Sequence, residues 1–405
     1  MPSISPLAKS AREDKAPGAS ELIARAAALR DLLWEDASAT DKDRRLTARV
    51  FAAIVDAGLL RLTVPRRFGG YETDIRTLIE VTAQVGRGFG SSAWVVGILN
   101  AGSWMVGLFP ERAQREVWGD NPLNSVAGVL APSAKIKRVD GGIIVTGEWG
   151  YASGCLHCQW VVAGVPTAVD PAGPPQTGLI LMPMSEVTIK DTWFVTGMRG
   201  TGSNTIVANE VFVPDHRLIS LPQAIEGASW SEYKDSEPLY RSGFAAVLLL
   251  AIAGPQIGLA KAALAYVLER APHRAIASTR YTKQADSVAF QLAVAEAAIK
   301  IDTARLHAMR AAAEADATGQ RGELPDHLIR ARIRMDNAWV SQQCREAVDL
   351  LMTGHGTSAF AEASPLQRIW RDIGTASHHA IGAPNVCKEV YGKALLGEPQ
   401  ITFLY

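Results

Sequence analysis

The chain has 405 residues, of which 48% are hydrophobic and 20% charged, and its 41 basic residues balance 41 acidic ones. This length allows two or three domains with cores of their own. Zero net charge without a basic run argues against a nucleic-acid partner. The longest apolar run, residues 244–254, is shorter than the roughly 20 residues that span a membrane. Residues 1–18 lack the apolar segment of a secretory signal, so we expect a cytoplasmic protein without a membrane partner.

The first part of the chain is predicted to be helical after a disordered tail of residues 1–18. Apolar residues recur at helical spacing, and Gly58 and Pro110 mark the end of one helix and the start of another. The predicted helices cover residues 20–36, 46–57, 74–85 and 93–108, with a short one after Pro110. Together they form a predicted N-terminal helical domain at residues 19–122.

The middle of the chain is rich in short apolar runs separated by Gly and Pro. Such runs predict a β-domain, a barrel or a sandwich, at residues 123–222. The predicted strands lie near residues 125–130, 143–148, 160–165, 178–182, 187–193 and 204–213. Residues 171–175 are predicted to form a surface loop.

The last part, residues 223–405, is predicted to be a four-helix bundle. One of its helices is predicted to place a stripe of residues in the core: Val288, Leu292, Ala295, Ile299 and Leu306. The chain is therefore of the α+β class, with one β-domain between two helical ones. In this arrangement a ligand cleft is expected where the domains meet.

Four cysteines do not indicate a disulfide framework in a chain of this length. Cys155 and Cys158 form a CxxC pattern, but Cys344 and Cys387 lie far from them in the sequence. A zinc or redox site would need a second pair or a βαβ context. We therefore expect no metal site.

Three separated motifs resemble the acyl-CoA dehydrogenase superfamily. They are Ala57-Gly-Leu with Val64-Pro and Phe68-Gly-Gly70, then Gly197-Met-Arg-Gly-Thr-Gly-Ser203 with Val211-Phe-Val-Pro214, and finally Gly354-His-Gly356 with Pro365 and Arg371-Asp372. They occur in order along nearly the whole chain. The resemblance implies an acyl-CoA dehydrogenase-like fold with a flavin between the β-domain and the C-terminal bundle, usually in a homotetramer.

The stretch that carries the base in many dehydrogenases differs here. Those enzymes have a glutamate after the Arg-Asp pair, whereas residues 377–382, Ser-His-His-Ala-Ile-Gly, contain no carboxylate. The chain instead resembles the oxygenase components of two-component flavin monooxygenases, the group of 4-hydroxyphenylacetate 3-hydroxylase, secosteroid-phenol hydroxylase and dibenzothiophene monooxygenase. The supporting residues are Trp104, Leu108-Phe-Pro-Glu111, Gln114, Val117-Trp118, Trp149, Ser153-Gly154, Trp370-Arg-Asp372 and His378-His379.

The second resemblance implies the chemistry. Such oxygenases take reduced flavin from a separate NAD(P)H:flavin reductase, bind O₂ and form a C4a-hydroperoxyflavin that hydroxylates a small phenolic or heteroaromatic substrate. The lack of a GxGxxG or P-loop pattern agrees with a separate reductase. We expect reduced FMN as the cofactor, with FAD as the other option. Two alternatives stay open. One is an acyl-CoA dehydrogenase, since some of these enzymes carry the base on another helix. The other is a non-catalytic flavin-binding protein.

The turn at residues 148–154 is predicted to line the flavin site. The flavin of such an oxygenase needs a dry pocket and a hydrogen-bond donor near its N5 atom. Ser153 is predicted to be this donor, beside Gly154, which allows close backbone approach. Trp149 and Trp104 are predicted to cover the flavin ring or to line the substrate pocket, and core positions are the alternative for both.

His379 is predicted to be the base that removes a phenolic or ring proton, and His378 is predicted to lie near the flavin. Neighbouring residues of a helix point about 100° apart, so only one of the two can face a given cleft. An imidazole titrates in the range that such a base requires. The alternative for either residue is a histidine that only satisfies a helix end.

Arg280 is predicted to bind the flavin phosphates, because dehydrogenase relatives place an arginine there and its forked donors suit phosphate. Arg270 and Arg274 are competing candidates, and an ordinary surface charge is the alternative for Arg280. Thr357 and Ser358 are predicted to supply hydroxyl and backbone donors to the flavin.

Gly102 is one departure from the oxygenase resemblance. These oxygenases often have a histidine two residues before the tryptophan that matches Trp104, and Gly102 occupies this position. If that histidine contacts the substrate in the relatives, the substrate or its orientation differs here.

Overall fold

The computed structural model describes residues 16–168, 176–402 and 404–405. The predicted loop at residues 171–175 lies outside the described residues, as does most of the predicted tail. Residues 16–18 precede the first helix, which begins at Ala19.

The N-terminal part is helical, as the sequence predicts. Its helices are α1 (Ala19–Ala28), α2 (Arg30–Asp43), α3 (Ala48–Asp56), α4 (Ile75–Gly88), α5 (Gly90–Val106) and α6 (Glu111–Trp118). The side chain of Thr47 accepts from Val50 N at the start of α3, and Asp74 accepts from Thr77 N at the start of α4. Such caps satisfy amides that the first helical turn leaves unpaired.

The middle part forms two four-stranded sheets. The strands are β1 (Val126–Val129), β2 (Ala134–Val139), β3 (Gly142–Ala152), β4 (Trp160–Ala168), β5 (Gln176–Pro183), β6 (Thr188–Lys190), β7 (Asn204–Pro214) and β8 (Leu218–Ser220). One sheet has the order β1-β4-β5-β8 and the other β2-β3-β7-β6, with β1 and β4 parallel. Two strands, β2 and β8, were not predicted. β2 is an edge strand with Lys135, Lys137 and Arg138, and charged edge strands give a weak apolar pattern.

A β-bulge ends β3 beside the predicted flavin turn. Gly150 and Tyr151 together lie opposite the single residue Thr205 of β7. Tyr151 has a φ of 64°, a left-handed conformation that side chains disfavour, and it is 78% exposed. Bulges re-aim side chains next to active sites, and this one leads the chain into Ser153.

The C-terminal part contains the remaining helices. They are α7 (Leu221–Ile225), α8 (Phe244–Ala251), α9 (Ala253–Arg270), α10 (Val288–Arg321), α11 (His327–His355), α12 (Pro365–Ala376) and α13 (Pro384–Leu396). The long helices α9, α10 and α11 pack against one another. This arrangement agrees with the predicted helical bundle.

The predicted core stripe on α10 is wrong, because all five of its residues are exposed. Leu292 is 66% exposed and Val288 61%. The buried face of α10 carries small residues such as Ala297, Ala304 and Ala308. Both faces repeat at helical spacing, so periodicity alone could not decide which one is buried.

The run Phe244–His273, which contains α8 and α9, is long and apolar enough by length and composition to cross a membrane. The apolar segment recognised in the sequence covered only its start. In the structure 83% of the most apolar window of this run is buried inside the protein. The run packs against α4, α5 and α11, as expected of a core helix.

Helix α5 contacts all three parts of the fold. All of its residues except Ile98 are buried, and it packs against α4, α9 and β1. Gly102 faces β1, where an added Cβ atom would lie 2.0 Å from the carbonyl oxygen of Val126. A histidine at this position would require α5 and β1 to separate. The packing of α5 on β1 in this protein therefore leaves no room for the histidine of the oxygenase pattern.

We expect Gly102→Ala to lower the free energy of unfolding by about 3 kcal/mol or more, because the new methyl group overpacks a backbone contact. The matched control is Gly392→Ala in α13, where a Cβ atom meets no atom within 4 Å. There alanine should stabilise the helix by about 0.5–1 kcal/mol. Denaturant titration measures both changes. Equal stability of the two variants would contradict the close packing of α5 on β1.

Candidate active site

A small apolar cluster lies where the three parts of the fold meet. Its buried members are Trp94 of α5, Met198 of the segment before β7, Ile252 between α8 and α9, and Ala376 at the end of α12. Two further isoleucines pack against it. The cluster marks the junction at which the sequence predicts a ligand cleft.

Ser153 lies beside this cluster and begins a row of buried hydroxyl groups. The indole Nε1 of Trp94 donates to Ser153 Oγ at 3.3 Å, and Ser153 Oγ lies 2.7 Å from Ser203 Oγ. Ser203 Oγ lies 2.7 Å from Thr201 Oγ1, which donates to the carbonyl oxygen of Met198 at 2.8 Å. The predicted flavin turn therefore reaches the junction of the domains.

Gly154 brings this turn close to α5. It has a φ of 75°, and an added Cβ atom would lie 3.0 Å from Leu99 Cδ2. Its backbone N–H donates to the carbonyl oxygen of Thr201 at 2.9 Å. A side chain here would be strained and would push the turn away from the helix.

His379 is also adjacent to Trp94. The centroids of the two rings are 5.5 Å apart, and their planes are inclined by 60°. Solvent reaches His379, yet desolvation by the surrounding protein lowers the pKa of its imidazole. The neutral imidazole therefore predominates near pH 7, and this form can accept a proton. Trp94 thus connects Ser153 and His379, the two residues predicted to be catalytic.

His378 points elsewhere. Its residue is exposed, and its Nδ1 donates to the carbonyl oxygen of Gly374 at 2.6 Å, within the end of α12. The two neighbouring histidines take different directions, but not as residues of one helix, because α12 ends at Ala376 and His379 has an extended backbone. A contact of His378 with the flavin stays a prediction.

Trp94 was not among the predicted site residues, because α5 is buried on all sides and no pattern distinguishes Trp94 from Trp104. Trp104 is 1% exposed, and its Nε1 donates to the carbonyl oxygen of Leu239 at 2.8 Å. Trp149 is fully buried and donates to the carbonyl oxygen of Gly164 at 2.8 Å. These positions favour the core alternative, and a flavin contact of either side chain stays a prediction.

Asp372 holds the segment that carries Met198. Its Oδ1 accepts the backbone N–H of Met198, whose φ of 56° is left-handed. Burial, and next the nearby charge of Asp41, raise the pKa of Asp372 to about 7. No described residue bonds to its Oδ2. Since the side chain is fully buried, it is not placed to remove a proton from a substrate as a dehydrogenase base would.

An open cleft of about 590 Å³ lies at the start of α12, and its two arginines outnumber Glu269, whose carboxylate lies 3.5 Å from Arg270. The cleft is lined by Arg270, Arg274, His355 and Ser358, among others. Arg274 bonds to His355 Nε2 at 2.7 Å and donates to Ser358 Oγ at 2.8 Å. Burial and the two arginines lower the pKa of His355 to about 4, so its neutral ring accepts from Arg274. The cleft is suited to an anion such as a phosphate.

The structure therefore brings Ser358 together with Arg274 and Arg270, the competing candidates for a phosphate contact. Arg280 is exposed and is not among the lining residues. Thr357 is exposed beside Ser358, in a short 3₁₀ turn.

The cleft includes Ser364, directly before α12, whereas the Trp94 cluster contains the last residue of this 12-residue helix. At 1.5 Å per residue, the two lie about 18 Å apart along the helix. The predicted flavin contacts of Arg280, Thr357 and Ser358 stay predictions.

The CxxC segment is not arranged as a metal or redox site. Burial raises the pKa of Cys155 to about 11 and that of Cys158 to about 12, so both thiols are protonated and unreactive. Among the described residues, no group of three or more His, Cys, Asp or Glu side chains could hold a metal ion.

Comparisons with known proteins agree with this geometry. The family described as acyl-CoA dehydrogenase, N-terminal domain, matches residues 22–121, and acyl-CoA dehydrogenase, C-terminal domain, matches residues 250–384. The flavin-dependent monooxygenase, oxygenase subunit HsaA, of Mycobacterium tuberculosis (strain CDC 1551 / Oshkosh) is 33% identical over 363 residues. This match covers 90% of this chain and 92% of the relative.

Two further relatives support the same assignment. The FADH(2)-dependent resorcinol hydroxylase, oxygenase component, of Rhizobium sp. (strain MTP-10005) is 31% identical, over 94% of this chain and 95% of its own. The solved structure of XiaF from Streptomyces sp., in complex with FADH2 and glycerol, has a TM-score of 0.88 at 33% identity, over 95% of this chain and 97% of its own. The chain therefore belongs to the acyl-CoA dehydrogenase superfamily and, within it, to the oxygenase components of flavin-dependent monooxygenases.

Proposed function

We propose that this protein hydroxylates a small phenolic or heteroaromatic compound with O₂ and a reduced flavin that a separate NAD(P)H:flavin reductase supplies. The observation that carries this proposal is the placement of Ser153 and His379 on the same indole ring, that of Trp94. A hydroxyl group for the flavin and a neutral imidazole for the substrate thus meet at the domain junction. The similarity to oxygenase components that act on aromatic compounds supports it.

The residues at the junction fit a bound flavin. A reduced flavin would supply the electrons that activate O₂. Ser153 would contact its ring, and the side chains of Trp94, Met198 and Ile252 would keep water away from it. His379 would accept the proton that the substrate releases, because its imidazole is neutral near pH 7.

The basic cleft is a candidate site for a phosphate, but it lies about 18 Å along α12 from the Trp94 cluster, which is farther than FMN extends from its N5 atom to its phosphate. Arg270 and Arg274 provide the positive charge of the cleft, and Ser358 adds a hydroxyl group. Reduced FMN is the cofactor we propose, and FAD is the other option, because both carry phosphate.

A partner reductase is needed, since the sequence contains no dinucleotide-binding motif. We also propose a cytoplasmic location, which four unpaired cysteines support.

The proposed function is tested with His379→Ala. Wild-type protein, supplied with reduced flavin by a separate reductase, should hydroxylate members of a panel of phenols and indoles. We expect His379→Ala to lower the rate of hydroxylation by about 10²–10⁴-fold, the usual effect of losing a general base. Consumption of O₂ should continue, with hydrogen peroxide as the product. Product analysis by mass spectrometry and a peroxide assay measure the two outcomes.

The matched control is His378→Ala, which removes the adjacent imidazole. Because His378 bonds to its own helix, we expect a much smaller loss of hydroxylation. Equal losses in both variants would contradict the assignment of His379 as the base. Oxidation of NADH by the purified wild-type chain alone would contradict the whole proposal.

The pH dependence of hydroxylation should reflect His379. Desolvation by the surrounding protein lowers the pKa of its imidazole, although solvent reaches the residue, and the base is active only in the neutral form. We therefore expect hydroxylation by the wild type to be lost as the pH falls, with a midpoint below the ordinary histidine value of about 6.5. His379→Gln should remove this acidic limb from the profile. The limb should be measured as hydroxylated product per O₂ consumed, and its persistence in His379→Gln would assign it to another group.

We propose that the protein is a homotetramer, and the exposed stripe on α10 supports this. An aliphatic stripe of this length on a helix surface is typical of a protein interface. The double substitution Leu292→Glu with Ile299→Glu should therefore yield smaller species with unchanged helical content. Leu396→Glu in α13, at a residue that is 79% exposed, is the control and should stay tetrameric. Light scattering at micromolar concentration and circular dichroism measure both. A monomeric wild type would refute the proposal.

A further inference from the structure

The hydroxyl groups of Thr201, Ser203 and Ser153 form a row of hydrogen bonds in which each proton points toward the next oxygen in the same direction. Each hydroxyl carries one proton, so it can donate only once. The carbonyl oxygen of Met198, at one end of the row, can only accept, and the indole N–H of Trp94, at the other end, can only donate. Thr201 donates to Met198, so its oxygen can only accept from Ser203.

The same count of one proton per hydroxyl group also decides the direction of the hydrogen bond between Ser203 and Ser153. Because Ser203 donates to Thr201, its oxygen is free to accept the proton of Ser153 at 2.7 Å. Ser153 therefore directs its proton into the protein and accepts the N–H of Trp94 with one lone pair. Its second lone pair stays free. All three hydroxyl residues are at least nine-tenths buried, at 8%, 2% and 3% exposed for Ser153, Thr201 and Ser203, so water does not readily replace these partners.

We propose that Thr201 and Ser203 are positioning residues that make Ser153 a hydrogen-bond acceptor toward the flavin N5 atom, so that the site prefers reduced flavin. Reduced flavin carries a hydrogen on N5 and can donate it, whereas N5 of oxidised flavin can only accept. This inference rests on the proposed function. It reverses the role expected from the sequence, in which Ser153 was the donor.

Oxidised flavin would require Ser153 to donate toward it, which removes the bond from Ser153 to Ser203 unless the whole row reverses its direction. Thr201 would then donate to Ser203, Ser203 to Ser153, and Ser153 to the flavin. The hydrogen bond from Thr201 Oγ1 to Met198 would be lost, although the carbonyl would keep the indole N–H of Trp193 and the backbone N–H of Thr201. Reduced flavin thus gains one hydrogen bond relative to oxidised flavin. One neutral hydrogen bond changes an equilibrium constant by about two- to twelvefold.

The test compares the affinities for the two redox forms in Thr201→Val. Valine has nearly the same shape but no hydroxyl, so Ser203 can donate only to Ser153, and Ser153 becomes a donor toward the site. The ratio of the dissociation constant of oxidised FMN to that of photoreduced FMN should fall by about two- to twelvefold relative to wild type, the effect of one hydrogen bond. Anaerobic titration followed by flavin absorbance and fluorescence measures both constants without turnover. FAD should be titrated in parallel.

Thr201→Ser keeps the hydroxyl and should keep the wild-type ratio. Ser203→Ala interrupts the row at its middle, and its ratio should also fall, which provides a second measurement if the valine variant does not fold. A purely structural role of Thr201 would weaken both forms equally, and an unchanged ratio in Thr201→Val and Ser203→Ala would overturn the inference. Failure of the wild type to bind either form would instead refute the proposed function.

Discussion

The contact between the carboxylate of Asp372 and the backbone N–H of Met198 determines the geometry of the site. It joins α12 to the segment before β7 and holds Met198 in a left-handed conformation. The neighbouring Gly197 packs so closely on α12 that an added Cβ atom would lie 2.0 Å from the carbonyl oxygen of Arg371. The Met198 carbonyl is thereby directed at Thr201. The position of Ser153, at the far end of the hydroxyl row, depends on this one contact between domains.

The contact is made at an electrostatic cost. Burial disfavours the charged form of Asp372 and raises the pKa of its carboxyl to about 7. Arg371 and Arg368 offset part of this cost by their charge, and Arg371 also donates to the carbonyl oxygen of Thr196 in the same segment. A buried charged contact of this kind is weak evidence for stability. Its effect is to align one β-domain segment with the C-terminal helices.

The sequence was sufficient to predict the three-part fold, because its motifs occur in order along the chain. The structure places Ser153 and His379, which the same motifs suggested, beside Trp94, and their roles stay predictions. The sequence could not identify Trp94, since a helix buried on all sides has no face that marks one tryptophan. The buried face of α10 was misassigned because alanines and larger aliphatic residues share the same periodicity. The direction of the hydroxyl row was also beyond the sequence, because it depends on which partner each proton meets in space. Thr201 and Ser203 were visible only as part of a motif.

Helix α12 acts as a spacer of fixed length between the basic cleft and the Trp94 cluster. Ser364 lines the cleft directly before the helix, and Ala376, its last residue, belongs to the cluster. One inserted residue would lengthen the helix by only 1.5 Å but would rotate its end by about 100°. Ala376 and the histidines that follow would then face away from Trp94. A change of length within these 12 residues would therefore alter how the cleft and the Trp94 cluster face each other.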